Sequence, residues 1–183
     1  PLFVKIINKF TFYGCKSLEK VYISSSLTKL DDFSFTNCSS LVIIQFDKHP
    51  SSLLSFGDYV FSGCSSLKTI TIPSSVKSIG DFAFYKCSLI EQISFESPSS
   101  LITIGKSAFS ECLSLSNFLI PFSVLKIDDN AFNKCSSLVQ VLLEDDFQLE
   151  TIGENIFSEC SSLTQFPSFI IPISNDHEED FLK

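Results

Sequence analysis

The residues best suited to chemistry are seven cysteines, at positions 15, 38, 64, 87, 112, 135 and 160. Thiols can pair as disulfides, ligate zinc or attack as nucleophiles. Their spacings are 23, 26, 23, 25, 23 and 25 residues, with no C-x-x-C and no Cys/His cluster. A zinc site needs ligands that converge on one point, and this pattern distributes them along a column. An odd count leaves one thiol unpaired in any disulfide scheme. If the period is structural, successive copies stack ~4.8 Å apart, as neighbouring strands do. In-register Cβ atoms then stay near ~5 Å, where a disulfide needs about 3.8 Å. The thiols are therefore expected to be reduced, buried and inward-facing, each acting as a small hydrophobe.

Other catalytic signals are sparse. The two histidines, His49 and His177, lie in a loop and in an acidic tail, without a recurring nucleophile partner. Glycines at 57, 80, 105 and 153 recur at corners and build no phosphate loop. An acidic column six residues before each cysteine (Asp32, Asp58, Asp81, Asp129 and Glu154) is interrupted by Lys9 and Lys106. A calcium ladder needs several oxygens per site, so capping of a one-turn helix is the expected role. No enzyme activity and no cofactor are expected. All 13 basic residues are lysine, and the net charge is −8, split as +2 over residues 1–91 and −10 over 92–183. That balance argues against nucleic acid, where neutralising phosphate supplies most of the affinity. No apolar run approaches the ~20 residues of a membrane span, so direct membrane insertion by this segment is not expected.

The cysteines belong to a repeat of about 24 residues, a period that means a solenoid. Three residues before each stands Phe (12, 35, 61, 84, 109, 132, 157), and three after, Leu or Ile. Positions six after, eight before and eleven before are apolar in all seven copies. In the copy from Leu67 to Cys87, Ile70 and Ile72 alternate with Thr69 and Thr71, a short half-buried strand ended by Pro73. Val76 and Ile79 begin the return, Gly80-Asp81 makes a corner, and a one-turn helical segment carries Ala83 and Phe84 inward. The serines after each cysteine suit hydrogen bonds to backbone at the next corner. The expected fold is a mainly β solenoid of about seven coils over residues 1–174. Residues 175–183 form an acidic tail or the start of a linker.

The run Leu-x-x-Ile-x-Ile-Pro-Ser-Ser-Val-x-x-Ile-Gly-x-x-Ala-Phe-x-x-Cys at 67–87, with its echoes at 101–112 and 115–135, resembles the BspA-type leucine-rich repeat family. The resemblance spans residues 4 to 166. It implies a right-handed leucine-rich-repeat solenoid with short parallel strands on one face and helical turns on the other. Members occur on surfaces of bacteria and protist parasites, associated with adhesion, so the resemblance implies a protein-binding, adhesin-like module.

Alternate coils carry longer corners, with Asp47 to Pro50, Glu96 to Pro98 and Glu144 to Phe147 bulging at one rim. The outward strand columns are the candidate partner-binding face: Lys20, Tyr22, Ile43, Gln45, Thr69, Thr71, Gln92, Ser94, Asn117, Leu119, Gln140 and Leu142. Amides and hydroxyls with scattered apolar points suit another protein or a glycan. An intracellular scaffold is the alternative, and the reduced thiols favour that compartment, whereas the resemblance favours a cell surface. Pro1 is not an initiator, so a piece of a longer chain is expected. The unequal charge of the two halves points to end-to-end association or to further repeats. Asn37-Cys38-Ser39 matches a glycosylation acceptor, but its middle residue belongs to the thiol column.

Overall fold

The structure, a computed structural model, describes residues 4–47 and 50–165. The chain winds as a parallel β-solenoid, each coil laid on the one before. Each coil contributes a strand where apolar and polar residues alternate: β2 (Lys20–Ile23), β4 (Ile43–Phe46), β6 (Thr69–Ile72), β8 (Gln92–Phe95), β10 (Asn117–Ile120) and β12 (Gln140–Leu143). A second set lies on the return: β1 (Ile6–Ile7), β3 (Lys29–Leu30), β5 (Ser55–Phe56), β7 (Ser78–Ile79), β9 (Thr103–Ile104), β11 (Lys126–Ile127) and β13 (Thr151–Ile152). Among the described residues these two-residue strands form the one unbroken parallel sheet, in the order β1-β3-β5-β7-β9-β11-β13. Alternation cannot show in two residues, so the sequence displayed this sheet only as a corner.

The expected one-turn helices are absent: no residue among those described is helical. The stretch before each cysteine is instead a pair of turns tied sideways to the next coil. Thr36 and Cys38 N–H close local turns onto Phe33 and Phe35 carbonyls, both at 3.3 Å. The intervening donors cross over, Phe33 to Asp58, Phe35 to Val60 and Asn37 to Ser62, at 2.7–2.9 Å. Residues five and one before each cysteine take left-handed backbone, as at Phe33 (φ 57) and Asn37 (φ 59). A left-handed residue cannot continue a right-handed helix. The crossed donors satisfy the backbone in place of helical bonds.

The acidic column consequently caps no helix. Its four aspartates reach along the stack to the equivalent N–H one coil on: Asp32 Oδ1 accepts from Asp58 (3.0 Å), Asp58 from Asp81 (2.8 Å), Asp81 from Lys106 (2.8 Å) and Asp129 from Glu154 (2.9 Å). This ladder explains the corner glycines. A Cβ on Gly80 would stand 2.6 Å from Asp58 Oδ1 and 2.8 Å from its backbone N, and Gly57, Gly105 and Gly153 are similarly confined. Where the preceding coil carries Lys9 or Lys106, the glycine is replaced by Asp31 or Asp128. There the following N–H is bound within its own coil, Asp32 to Asp31 Oδ1 at 2.9 Å and Asp129 to Asp128 Oδ1 at 3.3 Å. Aspartate followed by glycine one coil on, or lysine followed by aspartate, are two solutions to the same donor.

The core runs the length of the stack. Phe12, Phe35, Phe61, Phe84, Phe109, Phe132 and Phe157 form a single file of rings with centroids 4.9–5.6 Å apart. Burying one such ring contributes roughly 1.5–3 kcal/mol. Serines lock the corners across coils as well, Ser75 Oγ donating to Leu53 O (2.7 Å) and Ser123 Oγ to Leu101 O (2.8 Å).

The four-residue strands pair only in twos, β2 with β4, β6 with β8 and β10 with β12. Paired positions are 23 residues apart, as Thr69 and Gln92 are; across the splits the step is 26 (Ile43 to Thr69) or 25 (Gln92 to Asn117). The extra residues are the long corners, which loosen the stacking at that rim. The loosening is partial, since a single bridge joins Gln140 to Gln165 across another 25-residue step.

Candidate functional site

Strand parity places all twelve candidate side chains on one outward face. Ten are exposed, and Ser94 and Gln140 are half-buried. They meet in register within each pair, Lys20 beside Ile43, Tyr22 beside Gln45, Thr69 beside Gln92, Thr71 beside Ser94, Asn117 beside Gln140 and Leu119 beside Leu142. Tyr22 is 71% exposed, the most open large apolar side chain among those described. The structure does not join the three pairs into one hydrogen-bonded sheet. A cleft of about 550 Å³ opens between β8 and β10, lined by candidates from β6 to β12 and by Glu91 and Glu144. The strand columns alone did not show this cleft.

The long corners have a definite use. Glu96 and Glu144 each turn a carboxylate oxygen onto a backbone N–H of the preceding short corner, at Ser74 and Phe122, both 3.0 Å. Lys48, His49, His177, the run from Phe166 and the acidic tail lie outside the described residues.

The thiol column is built as six donors. Each Sγ donates to the carbonyl of the stacked Phe in the preceding coil: Cys38 to Phe12, Cys64 to Phe35, Cys87 to Phe61, Cys112 to Phe84, Cys135 to Phe109 and Cys160 to Phe132, at 3.1–3.3 Å. All seven thiols are free. Burial pushes the Cys87 thiol up to about 12 and holds Cys112 well above the usual thiol range. Cys15 corrects the expectation of a wholly buried column. It is exposed, because no coil among the described residues lies before it to offer a carbonyl. Among the described residues no group of three or more His, Cys, Asp or Glu converges as a metal set.

Residues 2–97 and 91–176 match the BspA type leucine rich repeat region, in 6 copies. The chain belongs to this family. No curated protein matches it. Among solved structures, this BspA-type chain is similar to a leucine-rich repeat protein of T. pallidum. The TM-score is 0.69 and the identity 28%, over 87% of this chain and 83% of that one. It is similar also to the pneumococcal vaccine antigen PcpA, with a TM-score of 0.65 and 30% identity over 70% of this chain and 31% of that one.

Sequence reasoning also missed an aromatic file on the turn side of the BspA-type stack. Phe10, Phe33, Tyr59 and Phe82, five before their cysteines, stack with centroids 4.6–5.0 Å apart. Their recurrence at one column offset was the available signal; without the left-handed turn, nothing indicated that the column lies at the surface.

Proposed function

We propose that this BspA-type repeat is a non-catalytic protein-binding module that presents its strand face to a partner, as an adhesin-like segment at a cell surface. The observation that carries the proposal is the outward face itself. Neutral amides and hydroxyls are interleaved with the exposed apolar points Tyr22, Ile43, Leu119 and Leu142. Such surfaces bind by desolvating a few apolar anchors within a polar rim. The thiol column is compatible with an oxidising exterior, because six of its members are buried and hydrogen-bonded. An intracellular scaffold role is the second reading; it would use the same stack without needing those anchors.

The test is adhesion of beads coated with the purified module to cultured cells and to immobilised matrix proteins. Ile43→Lys with Leu119→Lys should abolish adhesion while leaving the circular dichroism spectrum unchanged. Equal adhesion by the substituted and unsubstituted modules overturns the strand-face assignment, and no adhesion by either overturns the surface role.

A further inference from the structure

The cleft between β8 and β10 carries charge of one sign. Its β10–β12 side is apolar, with Leu119 and Leu142 both exposed, over a floor that includes the buried ring of Phe118. Its charged lining groups are Glu91 and Glu144, both carboxylates. Among the described residues nothing ion-pairs with or donates to Glu91 at the entry of β8, and no lysine lines the cleft. Gln92 Nε2 donates to Ser94 Oγ and Asn117 Nδ2 to Ser116 Oγ, both at 3.1 Å, which leaves the two amide oxygens open. Glu144 commits Oε2 to Phe122 N–H and keeps its second oxygen. The facing backbone edges of β8 and β10 are unpaired with each other, but the strands lie side by side, so a segment rests across the face and does not insert between them. The cleft therefore presents two carboxylates and no cation, a charge that an occupant carrying cations answers.

We propose, resting on the protein-binding reading above, that this cleft takes an extended peptide segment carrying a lysine or arginine at each end. One cation meets Glu91 and the other Glu144, backbone N–H groups of the segment meet the open amide oxygens, and an apolar side chain rests on the paired Leu119 and Leu142. The repeat sets the spacing. Glu91 shares its column with Ser116 and Val139, and Glu144 lies five positions beyond Val139. At ~3.3 Å per residue the two positions stand about 16 Å apart along the strands, and two coil steps of ~4.8 Å across them make the separation about 19 Å, so cations about five residues apart meet both carboxylates through the reach of their side chains. A charge-assisted bond adds orientation as well as affinity.

The probe is a blocked hexapeptide with lysine at both ends and Thr-Ile-Thr-Ser between, titrated into the 15N-labelled chain and followed by amide chemical shifts. The shifts should concentrate on residues 92–95 and 117–120 and should weaken as salt screens the charges. Glu91→Gln with Glu144→Gln keeps an acceptor at each place, so the fold is retained. This double variant should bind about tenfold or more weakly. A peptide with glutamate at both ends should not bind. Equal binding by the double variant or by the glutamate peptide overturns the charge assignment. Shifts confined to Tyr22 and Ile43 overturn the cleft but leave the strand face as a binding surface. No shift anywhere overturns the inference alone, since bead adhesion tests the wider reading separately.

Discussion

The exchange between the aspartate–glycine and lysine–aspartate arrangements gives a double-mutant cycle. Asp58→Lys removes the 2.8 Å bond from Asp81 N–H to Asp58 Oδ1. The bond is solvent-exposed, so water takes the freed donor and the loss is about 0.5–1.5 kcal/mol. Gly80→Asp builds a Cβ 2.6 Å from Asp58 Oδ1 and 2.7 Å from the Gly57 carbonyl carbon. Backbone must shift to admit it, at about 1–3 kcal/mol. If the two sites were independent, the double variant would lose the sum. It instead recreates the arrangement at Lys9/Asp31 and Lys106/Asp128, where the introduced aspartate can accept from the Asp81 N–H within its own coil. The double variant should therefore recover at least about 1 kcal/mol of the summed loss. Urea unfolding followed by circular dichroism measures all four corners, with the denaturant slope checked for loss of two-state behaviour. Losses that add within about 0.5 kcal/mol would refute the coupling.

Phe84 is fully buried between Phe61 and Phe109, whereas Phe12 is half-buried with one stacked neighbour, Phe35. Phe84→Ala should lose about 3–5 kcal/mol and Phe12→Ala clearly less, in the same unfolding assay. Ser34 Oγ is buried without a hydrogen-bond partner, in a column that is alanine at 83, 108 and 131. Ser34→Ala should raise stability by about 1 kcal/mol, seen as a higher urea midpoint. A thiol reagent at pH 8 should label one cysteine, Cys15, in the native chain and all seven after denaturation without reductant. Because burial raises the Cys87 thiol to about 12, the folded state holds a proton that the unfolded chain releases above pH ~8.5. Stability is therefore undiminished below pH ~8.5 and falls as pH rises toward 12. Cys87→Ala, measured by unfolding across pH 8–11, should reduce that fall.

Much of the outward strand face was legible because strand parity is a local property. Thr69 and Thr71 had to face outward once Ile70 and Ile72 were buried, and the structure places them so. The cleft was not legible, because it arises from a lapse in pairing between β8 and β10, and pairing is a relation between coils. The long corners were visible at Glu96 and Glu144, but their carboxylates serve backbone donors in the coil before. Propensity also misled at Asp81, a good helix-capping residue placed where no helix forms.

The sequence by itself determined the period, the inward columns and hence the family, because stacking identical coils requires the same apolar residue at the same offset every turn. Only the tertiary structure decided how the polar backbone between those columns is satisfied. Phe33 and Asn37 take left-handed backbone, and Asp58 reaches a neighbour's N–H, because the partner for each donor lies one coil away. A hydrogen bond across ~24 residues of chain leaves no local signature. It exists only once the coils are laid against each other.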